Sequence, residues 1–165
     1  MVKIANVEVG EFPLILSPMD DITDLPFRSL CKPYGVDMLI TEFIAADGII
    51  READKSRKKM TFSENERPIA VQIFGHDESS LLQSLEFVEA VKPDFIDINW
   101  GCPVKKVAGR GAGSGILKDI PKMIAITDAI VKKSKLPVTV KTRIGYEETN
   151  KPIVEVAERL QDVGV

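Results

Sequence analysis

Short apolar segments alternate with amphipathic helical segments along the whole chain, and this alternation constrains the fold more than any other feature of the sequence. The apolar segments are rich in β-branched residues and carry few polar interruptions. Such segments are typical of strands that are buried on both faces, in a parallel sheet covered by helices. The predicted core strands are residues 13–19, 38–43, 69–74, 95–98 and 138–143. The pattern predicts an α/β fold, and residues 2–9 are expected to form a small hairpin over one end of the sheet.

The length of the chain limits how much of an α/β fold it can form. Five strand–helix units fit the 165 residues, whereas a complete TIM (β/α)8 barrel typically needs about 250 residues. We therefore interpret residues 1–165 as the amino-terminal part of a TIM barrel, truncated after about five β/α units. A complete open sheet of five strands is the alternative. It is less favoured because Asp20 and Asp21 follow the first core strand, where a phosphate-binding sheet would have a glycine-rich turn.

Charge and cysteine content narrow the class of protein. A net charge of -3 and a sequence pI near 5.3 argue against nucleic-acid binding by the whole surface, but leave room for local basic patches. Cys31 and Cys102 have no partner at metal-ligand spacing and His76 is the single histidine, so no metal site is predicted. The chain has neither an apolar run of transmembrane length nor a secretory signal, so we expect no membrane partner and a cytoplasmic location.

Cys102 lies in the segment DINWGCP, residues 97–103, just past the predicted carboxyl end of a buried strand. Gly101 and Pro103 end that strand and leave the thiol on a short connection. In parallel α/β proteins, catalytic residues collect at this edge of the sheet. The alternative is that Cys102 is a small buried apolar residue, as free cysteines often are. Polar residues at the other strand exits favour the reactive role: Ser17, Glu42, Gln72, Asn99, Lys141 and Arg143.

These motifs resemble those of the tRNA-dihydrouridine synthases, which are flavin-dependent reductases of uridine in transfer RNA. The resemblance covers all 165 residues. Its most specific element is NWGCP at residues 99–103, followed by Lys106-Val107 and a run of small residues at 109–114. Supporting elements are SPM at 17–19, Asp24, PFR at 26–28, VQI at 71–73 with Gly75, and VKTR at 140–143 with Gly145. The family fold is a TIM barrel that binds flavin mononucleotide (FMN), followed by a helical RNA-binding domain. The resemblance implies that the last barrel strands and the helical domain are absent from these residues.

The resemblance also implies a reaction: reduction of specific tRNA uridines to 5,6-dihydrouridine, with NADPH or NADH as the reductant. A hydride would come from FMN and a proton from Cys102. This chemistry is reasonable because a thiol is mostly protonated at neutral pH and is still able to transfer its proton. Asn99 and Arg143 would hold the target uracil. The implied flavin contacts are Pro18, Met19, Asp20, Gln72 and Lys141.

Two basic clusters lie on loops that are predicted to reach the same end of the barrel. Lys105, Lys106 and Arg110 are predicted to bind tRNA phosphates, because they neighbour Cys102. The cluster between residues 51 and 59 is diluted by acidic residues, and a solvated loop is an equally good interpretation.

Two alternative functions stay open: a flavin-dependent reductase of free pyrimidines, and a non-catalytic RNA-binding or assembly fragment.

Overall fold

A computed structural model describes all 165 residues. The strands are β1 (Lys3–Ile4), β2 (Val7–Glu8), β3 (Leu39–Ile40), β4 (Ile44–Ala45), β5 (Ile69–Phe74), β6 (Phe95–Trp100) and β7 (Val138–Thr142). The α-helices are α1 (Leu25–Cys31), α2 (Ala46–Ile50), α3 (Asp54–Lys59), α4 (Glu78–Ala90), α5 (Lys105–Ala108), α6 (Ile120–Lys133) and α7 (Ile153–Asp162). Short 3₁₀ helices are formed by Lys32–Tyr34, Glu64–Glu66 and Gly113–Lys118. No helix combines the length and the apolar character needed to cross a bilayer.

The central sheet is parallel throughout and has the order β3–β5–β6–β7, with β4 also paired to β5. It curls into half of a barrel, which confirms the predicted fold class of a truncated TIM barrel. Helices α4, α6 and α7 cover its outer face, where one apolar cluster joins strand residues such as Val71 and Ile98 to Leu85 and Ile126 of the helices. Burial under helices therefore accounts for the nearly continuous apolar character of the strands.

The inner face of the half-barrel is closed at the amino ends of the strands by the hairpin of β1 and β2. A second apolar cluster there contains Val9, Met38, Ile40, Ala70 and Phe95, with residues of the hairpin packed against it. The predicted hairpin is thus confirmed, and it covers one end of the sheet as expected. The opposite end of the inner face, at the carboxyl ends of the strands, is left to polar residues.

The predicted strand at 38–43 is interrupted. Ile40 pairs with Ala70 and Ile44 pairs with Ile73, so four steps along the first strand lie opposite three steps along β5. This extra residue is a β-bulge, which bends a strand and redirects its side chains. The hydroxyl of Thr41 accepts the backbone N–H of Gln72 at 3.1 Å across the interruption. The bulge separates β3 from β4 in the segment that contains Glu42, whose carboxylate accepts the N–H of Asp21 at 2.7 Å.

Residues 13–19 do not form the predicted first core strand. One parallel bridge, between Ile15 and Met38, connects this segment to the sheet. Pro13 and Pro18 cannot donate backbone hydrogen bonds, which prevents a regular ladder at either end of the segment. The N–H of Leu14 instead donates to a side chain, the carboxylate of Asp37, at 2.7 Å.

Candidate active site at the carboxyl ends of the strands

Polar side chains from β5, β6 and β7 meet on the inner face of the half-barrel. The strand register sets Gln72 beside Asp97, Asp97 beside Thr139, and Asn99 beside Lys141. Residues in register on parallel strands present their side chains to the same face of the sheet. Lys141 is therefore on the inner face, since Thr139, two residues before it, reaches Asp97 with its hydroxyl. The fold brings together three predicted site residues, Gln72, Asn99 and Lys141.

A continuous chain of hydrogen bonds connects these side chains to the loop of Cys102. The hydroxyl of Thr139 donates to Asp97 Oδ1 at 2.6 Å, and Gln72 Nε2 donates to Asp97 Oδ2 at 2.5 Å. Asn99 Nδ2 donates to Gln72 Oε1 at 2.9 Å. Asn99 Oδ1 then accepts the backbone N–H groups of Gly101 at 3.0 Å and Cys102 at 2.8 Å. The amide of Asn99 keeps one N–H that has no partner within the chain.

Asp97 is a buried acid of the site. The residue is 2% exposed, and this burial raises the pKa of its carboxyl group above the ordinary value for an aspartate. The hydrogen bonds from Gln72 and Thr139 and the charge of Lys141 act in the opposite direction. A buried acid at this position is a feature of an active site as well as of a structural network.

Cys102 lies on the loop that follows β6 and is 8% exposed. It is one of the buried residues of the core, although neither of the two apolar clusters includes it. Its backbone is held on both sides, because its N–H donates to Asn99 and its carbonyl accepts the N–H of Ser114 at 2.9 Å. Trp100 anchors the strand end just before the loop: it is fully buried, and its indole N–H donates to Thr127 of α6 at 3.1 Å. The thiol is therefore carried by a short loop whose backbone is fixed at several points.

The loop of residues 18–20 contributes to the same end of the half-barrel, but its three predicted flavin contacts are separated. Pro18 lines an inner cavity of about 310 Å³ together with Asp97, Thr139 and Lys141. Met19 is 40% exposed, and its N–H donates to the hydroxyl of Thr23 at 2.9 Å. Asp20 lines a different cavity and forms an ion pair with Lys59. Pro18 and Lys141 thus border one space.

Gln72 does not line that inner cavity, and its side chain is fully buried. Both ends of its amide are bonded inside the chain, to Asp97 and to Asn99. Its role as a flavin contact stays a prediction. What the structure shows is that Gln72 connects the buried acid to the asparagine that holds the Cys102 loop.

Arg143 approaches the Cys102 loop from another side. Its Nε donates to the carbonyl of Gly101 at 2.6 Å. The guanidinium lines an outer cavity of about 400 Å³ with Pro103, Ser114 and Tyr146. The two residues predicted to hold uracil, Asn99 and Arg143, therefore both contact the backbone immediately before Cys102, from the inner face and from the outer loop respectively.

The basic trio after Cys102 is only partly directed into a cavity. Lys106 and Arg110 line a space of about 430 Å³ whose apolar wall includes Phe43 and Phe74, whereas Lys105 is exposed and outside that lining. Phe43 and Phe74 contact each other edge to face, with ring centroids 5.2 Å apart. None of the three cations forms an ion pair within the chain, although Asp20, Asp47 and Asp77 line the same space as Lys106 and Arg110.

Three of the five cations between residues 51 and 59 form ion pairs with neighbouring carboxylates. Lys55 lies 3.9 Å from Asp21, and Arg57 pairs with Glu52. Lys59 pairs with Asp20 and with Glu42 and thereby sits among the three clustered carboxylates of Asp20, Asp21 and Glu42. The solvated-loop interpretation describes this segment better than a phosphate site does.

Two residues of the site were not predicted to take part in it. Asp97 and Thr139 form the end of the hydrogen-bond chain opposite Cys102. A signal for Asp97 does exist in the sequence, because a lone carboxylate within an otherwise apolar buried strand needs a polar partner. Thr139 gives no such signal, since threonine is common in strands for reasons of shape.

Comparison with known proteins identifies relatives along almost the whole chain. The family model described as dihydrouridine synthase (Dus) matches residues 15–165. The tRNA-dihydrouridine synthase B of Pseudomonas aeruginosa is 37% identical over 163 residues, which are 96% of this chain and 49% of that protein. A probable tRNA-dihydrouridine synthase of Rickettsia conorii is 36% identical over 166 residues, which are 100% of this chain and 50% of that protein. The chain spans about half the length of the curated relatives it matches.

Proposed function

The chain belongs to the dihydrouridine synthase family, and we propose on this premise that it forms the proton-donating part of a tRNA-dihydrouridine synthase. The reaction proposed is the FMN-dependent reduction of specific tRNA uridines to 5,6-dihydrouridine, with NADPH or NADH as the reductant. One observation carries the proposal beyond family membership. The hydrogen-bond chain from Asp97 through Gln72 and Asn99 ends on the backbone of Cys102, at the edge of a parallel sheet where active sites form.

The inner cavity has the chemical character that a flavin ring requires. Pro18, Ile40 and Val140 give it apolar walls, and Lys141 supplies a cation that forms no ion pair within the chain. FMN bound there would supply the hydride. Lys141 would stabilise negative charge at the pyrimidine end of the ring, which is the part that becomes anionic on reduction. Met19, Asp20 and Gln72 lie outside the lining of this cavity, so their contacts with the flavin stay predictions.

Cys102 would donate the proton that completes reduction of the uracil C=C bond. The proton would pass from Sγ to the carbon next to the one that receives the hydride, which would leave a thiolate on Cys102. Arg143 and the free N–H of the Asn99 amide would hold the uracil. Both side chains contact the Cys102 loop, and both can donate hydrogen bonds to the carbonyl groups of uracil. A rigid thiol is useful here because proton transfer requires a fixed distance to the accepting carbon.

The tRNA would meet the protein at the loop after Cys102. A uridine inside folded RNA must be extruded from its stack before it can enter such a site. Lys105, Lys106 and Arg110 would then bind the neighbouring phosphates, since none of these cations is paired within the chain.

The proposal is tested by comparing Cys102→Ala with Cys31→Ala, which removes the other thiol of the chain, on α1. FMN binding is measured by flavin absorbance and fluorescence, and dihydrouridine is measured in unmodified tRNA supplied with NADPH. We expect both variants to bind FMN as the unaltered chain does, and only Cys102→Ala to lose the product. Equal product from the two variants contradicts the role of Cys102. Absence of product from the unaltered chain with bound flavin contradicts the proposed activity of this chain.

A further inference from the structure

The buried carboxylate of Asp97 lies at one end of a hydrogen-bond chain that ends on the backbone of Cys102. We propose that Asp97 is a positioning residue, which fixes the Cys102 loop through the side-chain amides of Gln72 and Asn99. The inference concerns the position of the thiol. Its use in catalysis rests on the function proposed above.

The two ends of this series of hydrogen bonds require the same orientation of the Gln72 and Asn99 side-chain amides. Asp97 Oδ2 accepts a hydrogen bond from Gln72 Nε2, so the NH₂ end of Gln72 faces Asp97 and its oxygen faces Asn99. The NH₂ end of Asn99 must then face Gln72, which turns Asn99 Oδ1 toward the loop. At the other end, the N–H groups of Gly101 and Cys102 can only donate, and they require that same oxygen. Reversing either amide would set donor against donor or acceptor against acceptor.

Burial makes this orientation difficult to change. Gln72 is fully buried, Asp97 is 2% exposed and Asn99 is 7% exposed. Solvent therefore has little access to replace a lost partner, and an unpaired polar group in such a place is costly. No buried side-chain nitrogen or oxygen of the protein lacks a hydrogen-bond partner. The loss of one of these hydrogen bonds would consequently weaken the others in the series, including those that hold the Cys102 loop.

Two substitutions of Asp97 separate the effect of its acceptor oxygen on the Cys102 loop from the effect of its negative charge. Asp97→Asn can still offer its oxygen to Gln72 while its NH₂ faces Thr139, whose hydroxyl can accept as well as donate. Asp97→Leu has a similar size but offers no acceptor, so the amide of Gln72 loses its fixed partner. Thr139→Val is the matched control, because it removes a buried hydrogen bond from the other oxygen of Asp97 and leaves the link to Cys102 intact.

The test measures the Cys102 loop in the native state and requires neither FMN nor tRNA. All variants carry Cys31→Ser, so that Cys102 is the only thiol. Native-state alkylation by iodoacetamide reports access to Sγ. Amide hydrogen exchange of Gly101 and Cys102 is compared with exchange of Ile73 and Ile98 in the central strands, which reports global unfolding. A purely structural role of Asp97 would change all four amides together.

We expect Asp97→Leu to raise both alkylation of Cys102 and exchange of the Gly101 and Cys102 amides by about tenfold relative to the strand amides. Asp97→Asn and Thr139→Val should stay within about twofold of the parent. Gln72→Met removes the middle link and should repeat the effect of Asp97→Leu, and it decides the matter if Asp97→Leu does not fold. Unchanged loop exchange in a folded Asp97→Leu or Gln72→Met variant overturns the proposal. So does an Asp97→Asn variant that behaves like Asp97→Leu, because charge would then be the relevant property.

Discussion

Gly113 shows how closely the chain packs around the candidate proton donor. Its φ angle is +51°, in the left-handed region that favours glycine. A side-chain carbon at this position would also lie 2.6 Å from the carbonyl oxygen of Cys102. Gly111 is a natural comparison, because its φ is +77° but no heavy atom lies within 4 Å of the same position. The two glycines separate the cost of backbone conformation from the cost of crowding at the Cys102 loop.

We expect Gly111→Ala to lower the free energy of unfolding by about 1 to 2 kcal/mol, the cost of a left-handed conformation for a residue with a side chain. Gly113→Ala should lower it by more, because the Cys102 carbonyl must also move aside. Urea denaturation of the two variants and the unaltered chain measures the difference. Equal destabilisation by the two substitutions would show that the Cys102 carbonyl can move aside without a measurable cost in free energy.

Asp97 makes the stability of the protein depend on pH in a defined direction. Burial raises its pKa in the folded state, so the folded state holds this proton more tightly than the unfolded state does. Its contribution to the free energy of unfolding is therefore fully present below the ordinary aspartate pKa. That contribution is lost as the pH rises through the raised, folded-state pKa.

Asp97→Asn removes this titration and keeps the shape of the side chain. The free energy of unfolding of the parent minus that of the variant should fall as the pH rises across that window. Urea denaturation at a series of pH values measures it, with Asp128→Asn as a control because Asp128 forms an ion pair with Lys132 on the helical surface. A difference that rises with pH would mean that the hydrogen bonds to Asp97 outweigh its desolvation.

At the scale of residues, the alternation of side chains along a strand predicts which polar residues share a face of the sheet. The sequence predicts that Gln72, Asn99 and Lys141 lie near the carboxyl ends of the strands, and the structure places them together there. Alternation does not reveal which polar groups satisfy one another. The link from Asp97 to Gln72 depends on the register of β5 against β6, and a single strand contains no information about that register.

At the scale of elements, a buried ion pair holds α1 in place beneath the loop of residues 18–24. Arg28 Nε lies 2.8 Å from Glu66 Oε1, and both side chains are at most 1% exposed. The same guanidinium donates to the carbonyl oxygens of Thr23 and Thr61, each at 2.9 Å. Glu66 also accepts the N–H of Ser63 at 2.7 Å. One arginine therefore ties the start of α1 to the segment that follows α3.

Removal of Arg28 should be costly, because it leaves the carboxylate of Glu66 buried without a counter-charge. We expect Arg28→Met to lower the free energy of unfolding by about 3–5 kcal/mol, and the double variant Arg28→Met/Glu66→Gln to recover part of that loss. Arg159→Met is the matched control, since its pair with Glu155 lies on the exposed face of α7; it should cost less than about 1 kcal/mol. Thermal or urea denaturation distinguishes the two, and equal losses would contradict the role given to burial.

The elements that the sequence predicted best are those with a regular period and a clear cap. The helix starting after Asp77 is α4, and its first turn is capped by that carboxylate, which accepts the N–H of Ser80 at 2.8 Å. The elements predicted worst are residues 13–19 and 38–43. Their apolar composition suits a strand, but the prolines of the first segment and the extra residue of the second prevent a regular ladder. Such bulges arise from pairing between strands, which composition alone does not describe.

For the whole molecule, the curl of the sheet places its polar groups and its apolar closure at opposite ends. The hairpin packs on the inner apolar cluster at the amino ends of the strands, while Lys141 and the Cys102 loop lie at the carboxyl ends and Asp97 lies midway along β6. Lys105, Lys106 and Arg110 extend that second end outward, as three unpaired cations on a chain whose net charge is -3. Their local concentration, rather than the net charge, is what would attract a polyanion.

The trio therefore distinguishes an enzyme that acts on tRNA from a reductase of free pyrimidines. If the three cations contact phosphates, replacing all three by alanine should weaken tRNA binding. It should also reduce the slope of log K against log salt concentration by about 2, since each phosphate contact contributes about 0.7–0.9. The matched control replaces Lys122, Lys132 and Lys133 of α6 by alanine, which removes the same charge from the helical side of the sheet. Titration of labelled tRNA at several salt concentrations measures both slopes.

Because the two triple variants carry the same net charge, equal slopes would assign the effect to net charge. An unchanged slope for the first variant would favour a free pyrimidine as the substrate, because such a substrate needs no phosphate contacts.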